Sequence, residues 1–84
     1  MTSSWFMYVV RCCDESYYTG ITTNIDRRLH EHNHLSSGAK YTRSRRPVRL
    51  VYYESHDNRS SASKAEYAFK KKSRIEKSYF LGFM

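Results

Sequence analysis

The sequence predicts a small α+β domain: a mainly antiparallel three-stranded sheet flanked by about three helices, in the order β-β-α-β-α-α. Three observations carry this expectation. Trp5 to Val10 is apolar throughout, with β-branched and aromatic members, which suits a strand buried on both faces and central in its sheet. Tyr17 to Thr22, rich in Tyr, Thr and Ile, follows the turn signal Asp14-Glu15-Ser16 and reads as the return strand of a hairpin. Apolar residues then recur at helical spacing, Ile25 with Leu29 and Ala62 and Ala65 with Phe69. A chain of 84 residues makes one domain, residues 1–84, with a modest core. A small sheet with helices against it is the simplest solution for that order of elements.

Each element has a local reason. Gly20 inside the second strand points to a close backbone approach or a bulge. Thr23 or Asn24 caps the first helix, with Asp26 well placed in its first turn, and Ile25 and Leu29 form its buried stripe. That helix fades between Asn33 and Ser36. Ser37-Gly38 opens a loop carrying Lys40, Arg43, Arg45, Arg46 and Arg49, where Pro47 stops any helix. Val48 to Glu54 alternates as a third strand. Asn58 to Ser63 offers several caps for a helix ending near Lys72. Ser73-Arg74-Ile75-Glu76 fits a capping box and starts a last helix, with Ile75 and Tyr79 expected to dock it. The tail Gly82-Phe83-Met84 is expected to be loosely held.

Composition narrows the classes. No run of about 18 apolar residues occurs, so no membrane span is expected. The start Met1-Thr2-Ser3-Ser4 lacks the basic and apolar segments of a secretory signal. Cys12 and Cys13 are adjacent, a poor disulfide geometry, and read as a reduced pair in a cytoplasmic protein. Net charge is +7 and uneven: residues 1–39 carry 3 bases against 4 acids, residues 40–84 carry 12 against 4. A one-sided positive field favours a polyanion partner, most simply DNA. Loop residues Lys40, Arg43, Arg45 and Arg46, with Lys70 and Lys71, form a candidate phosphate track. Tyr41 in that loop either stacks on a base or plugs the loop onto the sheet.

One constellation carries chemistry. Phosphodiester hydrolysis needs an activated water, charge stabilisation at the phosphoryl oxygens and help for the leaving oxygen. An arginine can neutralise a non-bridging oxygen bidentately. A tyrosine can relay a proton if its pKa of about 10 is lowered by positive charge. A histidine beside it can accept or relay that proton, and a carboxylate can hold a divalent metal. The chain offers Tyr8, Tyr18, Arg28, His32 and Glu66 for these roles, with Arg28 ten residues after Tyr18 and His32 four after Arg28.

That ordered set resembles the GIY-YIG nuclease superfamily. Phe6-Met7-Tyr8 stands for the first tripeptide and keeps its tyrosine, and Tyr18-Thr19-Gly20 stands for the second and keeps its outer residues. Glu66 lies in Ala65-Glu66-Tyr67-Ala68-Phe69-Lys70-Lys71, similar to the family's glutamate-bearing helix. Gly38-Ala39-Lys40-Tyr41-Thr42-Arg43 and Arg45-Arg46-Pro47-Val48 resemble the small single-domain bacterial members of the YhbQ type, related to the Slx catalytic subunit. The resemblance implies a metal-dependent DNA endonuclease, structure-specific and serving DNA repair or recombination. It implies one Mg²⁺ or Mn²⁺ bound mainly through Glu66, Tyr8 and His32 activating water, Tyr18 assisting, and Arg28 stabilising the transition state. No obligatory protein partner is expected. No asparagine follows the last helix, and Ile21 stands where a lysine or serine is common.

Other readings of the same residues stay open. A DNA-binding module that kept the fold without catalysis would use the same basic surface. Arg28 could pair with Asp26 or Glu31. Glu66 could close a capping box with Ser63, although a cap at Ser60 would leave it in the helix interior. His30-Glu31-His32-Asn33-His34 contains the H-E-x-x-H of zinc peptidases, without a convincing third ligand. His34 and His56 read as surface residues, and Arg27 as solvated.

Overall fold

A computed structural model describes residues 4–83. The reading of Met1-Thr2-Ser3 and that of Met84 lie outside the described residues. The chain runs β1 (Trp5–Arg11), β2 (Tyr17–Thr22), α1 (Ile25–His34), α2 (Lys40–Arg43), β3 (Arg49–His56), α3 (Arg59–Lys70) and α4 (Arg74–Phe80). The three strands are antiparallel in the order β2-β1-β3, so the uniformly apolar strand is the central one. The expected order of elements holds, with the single turn α2 added inside the basic loop.

Side-chain alternation along β1 feeds two cores, one on each face. Tyr8 and Val10 pack with Cys12 and Val48, and Tyr18, Leu29 and Leu50 close around them. Met7 and Val9 pack with Phe69, and Ala65 and Leu81 cover that side. β1 and β3 slip register between Val9 and Val10. The extra residue, Val51, lies in β3, so the bulge is there and not at Gly20. Gly20 serves a close approach instead: a Cβ there would lie 2.6 Å from the Tyr8 hydroxyl and 2.8 Å from its ring carbon Cζ. Cys12 is buried and Cys13 exposed, both free, as adjacent strand-end positions facing opposite ways require.

Caps set the helix starts. Asn24 accepts from the Arg27 N–H at 3.0 Å and Asn58 from the Ser61 N–H at 2.8 Å. Asn58 thus caps α3 rather than Ser60, and Glu66 is interior to the helix without closing a box on Ser63. Ser73 and Glu76 form the reciprocal capping box of α4. The docking of α4 differs from expectation. Ile75 and Tyr79 are 68% and 75% exposed. Phe80 does the work, with its ring 5.1 Å from that of Tyr52 and 5.7 Å from that of Phe69. The Ser78 hydroxyl adds a hydrogen bond with Tyr17 at 3.0 Å. The tail is held as far as Phe83, which stacks on Tyr17 and donates its N–H to the Ser78 carbonyl.

His56 is not a surface residue. Its imidazole bridges β3 to α3, bonded to Glu54 and to the Ser61 hydroxyl, both at 2.6 Å. In α1 the buried residue is His32, while Ile25 and Leu29 are half-buried. Asn33 continues the sheet's pairing: its amide donates to the Val48 carbonyl at 2.9 Å and accepts the Val48 N–H at 2.7 Å. Among the described residues no helix is long and apolar enough to cross a membrane.

Candidate active site

The hairpin register sets Tyr8 opposite Gly20 and Val10 opposite Tyr18, on the face covered by α1. With no side chain on Gly20, the Tyr8 hydroxyl lies over its backbone, near the β2 edge of the sheet. His32 meets it there. The Tyr8 hydroxyl and His32 Nε2 are 2.7 Å apart, both residues being almost wholly buried. Tyr18 sets its ring edge-on to His32 at 5.3 Å, and among the described residues its hydroxyl has no hydrogen-bond partner.

The loop after α1 fixes the imidazole. Gly38 is seated directly against the Glu31 carbonyl, a contact that leaves no space for a Cβ. This brings the Ala39 N–H to His32 Nδ1 at 3.2 Å, with the buried Thr42 hydroxyl 3.1 Å from the same nitrogen. A backbone N–H can only donate, so Nδ1 is the acceptor and the proton of the neutral ring sits on Nε2. Burial, then the Arg28 charge, hold His32 down at about 4 against an ordinary 6.5, with Arg46 adding to this and Glu31 opposing it. The ring is therefore neutral at pH 7 and donates Nε2–H to Tyr8. The proton-acceptor role expected of His32 is not available at that nitrogen. In this tautomer the imidazole holds the Tyr8 oxygen through Nε2–H.

Tyr8 itself is pushed up to about 12, first by burial; Tyr18 adds to the rise and Glu66 adds least, while the Arg28 guanidinium beside the hydroxyl opposes it. Arg28 makes the ion pair that the sequence allowed. Its Nη1 donates to Glu31 at 2.9 Å and to the Ser37 carbonyl at 3.0 Å. Glu66, from α3, pairs with Lys70 at 3.1 Å, and its side chain is 23% exposed.

The basic track is only partly free. Arg46 is spent on the end of α1, donating to the carbonyls of His32 and Glu31 at 2.6 and 3.3 Å and to that of Leu35. This removes Arg46 from the expected phosphate contacts, because its charge serves the exposed carbonyls of a helix C-terminus. Arg45 donates to Asp14 at 3.0 Å and covers the Tyr41 ring at 3.9 Å. Tyr41 stacks on Tyr18 at 5.9 Å, so it plugs the loop onto the sheet. Lys40 and Arg43 are exposed, with no ion pair among the described residues. Lys71 lies over the Tyr67 ring at 4.9 Å.

A divalent cation fits this donor set in one way. Among the described residues no three His, Cys, Asp or Glu side chains converge. Of the carboxylates near the site, Glu31 is paired with Arg28, which leaves Glu66 as the candidate ligand, and Mg²⁺ is commonly held by one or two carboxylates with water and substrate phosphate. The zinc-peptidase reading fares worse. The His30 and His34 rings lie 4.8 Å apart without a third ligand among the described residues, and Glu31 is committed to Arg28. Trp5 and Arg59 belong to no motif in the sequence, and Arg27 is exposed as expected. All three line one groove with Arg28. The signals available were an aromatic at the start of β1 and a base directly after the Asn58 cap.

The family model for the GIY-YIG catalytic domain matches residues 4–79. A UPF0213 protein of Desulfotalea psychrophila is 60% identical over 74 residues, covering 88% of this chain and 67% of that protein. A UPF0213 protein of Pediococcus pentosaceus is 46% identical over 81 residues, covering 96% and 84%. Among solved structures, the solution NMR structure of the UPF0213 protein of Bacillus halodurans matches with a TM-score of 0.60 at 39% identity, covering 94% of this chain and 83% of that one. A solution NMR structure of an E. faecalis protein matches with a TM-score of 0.61 at 46% identity, covering 95% and 85%.

Proposed function

The chain belongs to the GIY-YIG catalytic-domain family, and on that premise we propose that it is a metal-dependent DNA endonuclease hydrolysing phosphodiester bonds. We further propose a structure-specific role in DNA repair or recombination, with Mg²⁺ or Mn²⁺ as the ion. The observation that carries the reading is the bonded pair Tyr8–His32 with Arg28 beside it, beyond the side-chain-free Gly20. A structural core has little use for a phenol, an imidazole and a guanidinium gathered at one sheet edge.

In the proposed reaction Tyr8 takes the proton of the attacking water. It must first lose its own proton, and at a pKa of about 12 only roughly one molecule in 10⁵ is ionised at pH 7. Burial works against that ionisation. The Nε2–H of His32 and the Arg28 charge work for it, and so does any positive charge that arrives with substrate. Tyr18, with its hydroxyl unclaimed among the described residues, orients the water or the phosphate. Arg28 neutralises a non-bridging oxygen after exchanging part of its hold on Glu31 for the phosphate. Glu66 would hold the metal, with Lys70 displaced from it. When bound, a divalent cation supplies charge neutralisation at the phosphate and lowers the pKa of water.

The second reading, a DNA-binding module without cleavage, is favoured by one observation: Arg28 is already engaged by Glu31 and Ser37. Incubation with flapped, branched and linear duplex DNA, with Mg²⁺, with Mn²⁺ and with EDTA, separates the two. Metal-dependent nicking is the expected result. Binding without nicking under every metal condition refutes the enzyme reading in favour of the module.

A further inference from the structure

Arg28 stands on the wall of an open groove of about 450 Å³, several of whose residues have no part in the reaction above. Arg27 and Glu31 enter it from α1, Arg59 from the first turn of α3, and Trp5 from the start of β1. Three guanidinium groups face one carboxylate there. Glu31 is already paired with Arg28 at 2.9 Å, whereas Arg27 comes no nearer to it than 4.0 Å and keeps 60% of its side chain exposed. Arg59 makes no ion pair among the described residues, and its guanidinium lies 5.8 Å from the centre of the Trp5 ring. The groove therefore carries a net positive charge that the described residues leave unneutralised. The guanidinium groups come from two separate helices, with the reacting arginine among them.

We propose that this groove seats the substrate strand, Arg27 and Arg59 each holding a phosphate next to the one addressed by Arg28. Planar guanidinium forks match phosphate oxygens. A space of this size lies in the range that holds a drug-sized molecule. An open groove of this size has room for a short stretch of one strand's backbone. Contacts of this kind read the backbone and carry little sequence information. The loop bases make a poorer track, since Arg46 and Arg45 are committed to protein acceptors. That the strand is a substrate rests on the nuclease reading; that it binds here does not.

The test uses the intact chain in EDTA, which separates binding from cleavage, and a fluorescein-labelled single-stranded DNA oligonucleotide. Trp5 is the chain's single tryptophan and serves as an internal reporter. Saturating DNA should change its emission. Arg27→Gln/Arg59→Gln should weaken binding tenfold or more at low salt. It should also flatten the slope of log affinity against log salt by roughly 0.7 per arginine, with an unaltered Tm. Should that variant melt early, the single variants Arg27→Gln and Arg59→Gln carry the same test, each expected to flatten the slope by about half as much. Unchanged affinity and slope, or silent tryptophan emission at saturation, would overturn the proposal. It would also fall if Lys40→Gln/Arg43→Gln took the slope change instead. Binding with the expected features but no metal-dependent nicking would sink the nuclease reading and leave the groove standing. Nicking with parental affinity in Arg27→Gln/Arg59→Gln would do the reverse.

Discussion

Gly20→Ala probes how the site is built. A Cβ at this position would lie 2.6 Å from the Tyr8 hydroxyl, where ordinary contact begins at 3.4 Å, so the hydroxyl would have to withdraw by about 0.8 Å. Tyr8 is 2% exposed, with its hydroxyl 2.7 Å from His32, so little space is open to it. Overpacking of this kind costs about 1–3 kcal/mol. For a domain of this size each kcal/mol lowers Tm by about 4–8 °C. A displacement near 1 Å at a reacting group can cost about 10²-fold in rate. Thermal melts and single-turnover cleavage, run well below the variant's Tm, measure both effects. Tyr8→Phe removes the closest contact, though Cζ at 2.8 Å remains. Tyr8→Phe/Gly20→Ala should therefore be more stable than the two single losses added together. A parental Tm for Gly20→Ala, or additivity within about 0.5 kcal/mol, would refute the argument that Gly20 exists to admit the hydroxyl.

Arg28→Lys should cleave almost as poorly as Arg28→Ala, each down about 10²-fold or more with binding mostly kept, because lysine lacks the two-pronged donor; parental single-turnover rates would rule Arg28 out as the phosphate clamp. Arg46→Ala should cost about 1–3 kcal/mol of stability through the carbonyls it abandons. Its salt slope for DNA binding should stay unchanged, and a flattened slope would return Arg46 to the phosphate track. His32 titrates at about 4 in the fold against 6.5 in the open chain. The unfolded state thus takes up the proton first, and the contribution of His32 is complete above about pH 6.5 and lost as pH falls toward 4. Denaturant midpoints between those limits should fall less in His32→Gln than in the parent; equal slopes would mean that His32 is charged in the fold.

The elements that were legible in the sequence are those whose signal is local. The apolar run of β1, the Asp14–Ser16 turn and the Ser73/Glu76 box each declare themselves within a few residues. Tyr8, Tyr18, Arg28 and His32 were legible as a set because strand register and one helical turn bring them together. The rest depended on distant partners. α2 is a single turn without a side-chain cap, so nothing in its composition marks it. The docking of α4 is not legible because its seven residues are too few for a periodic stripe. A capping box sets where a helix begins but not which side it turns to the core. Arg45 and Arg46 read as free charge because their acceptors, Asp14 and the last carbonyls of α1, are remote in sequence. The direction of the Tyr8–His32 bond turns on the Ala39 N–H, a backbone group that no residue type announces.

The most direct test of the enzyme reading is single-turnover cleavage of a flapped DNA by the parent and by Glu66→Gln, across a Mg²⁺ titration with matched DNA saturation. The account predicts nicking by the parent that rises with Mg²⁺ and is abolished by EDTA. It predicts a loss of about two orders of magnitude or more in Glu66→Gln, which keeps the parental fold and DNA affinity. Parental rates in Glu66→Gln would contradict the metal assignment, and the absence of nicking by the parent at every Mg²⁺ concentration would contradict the nuclease itself.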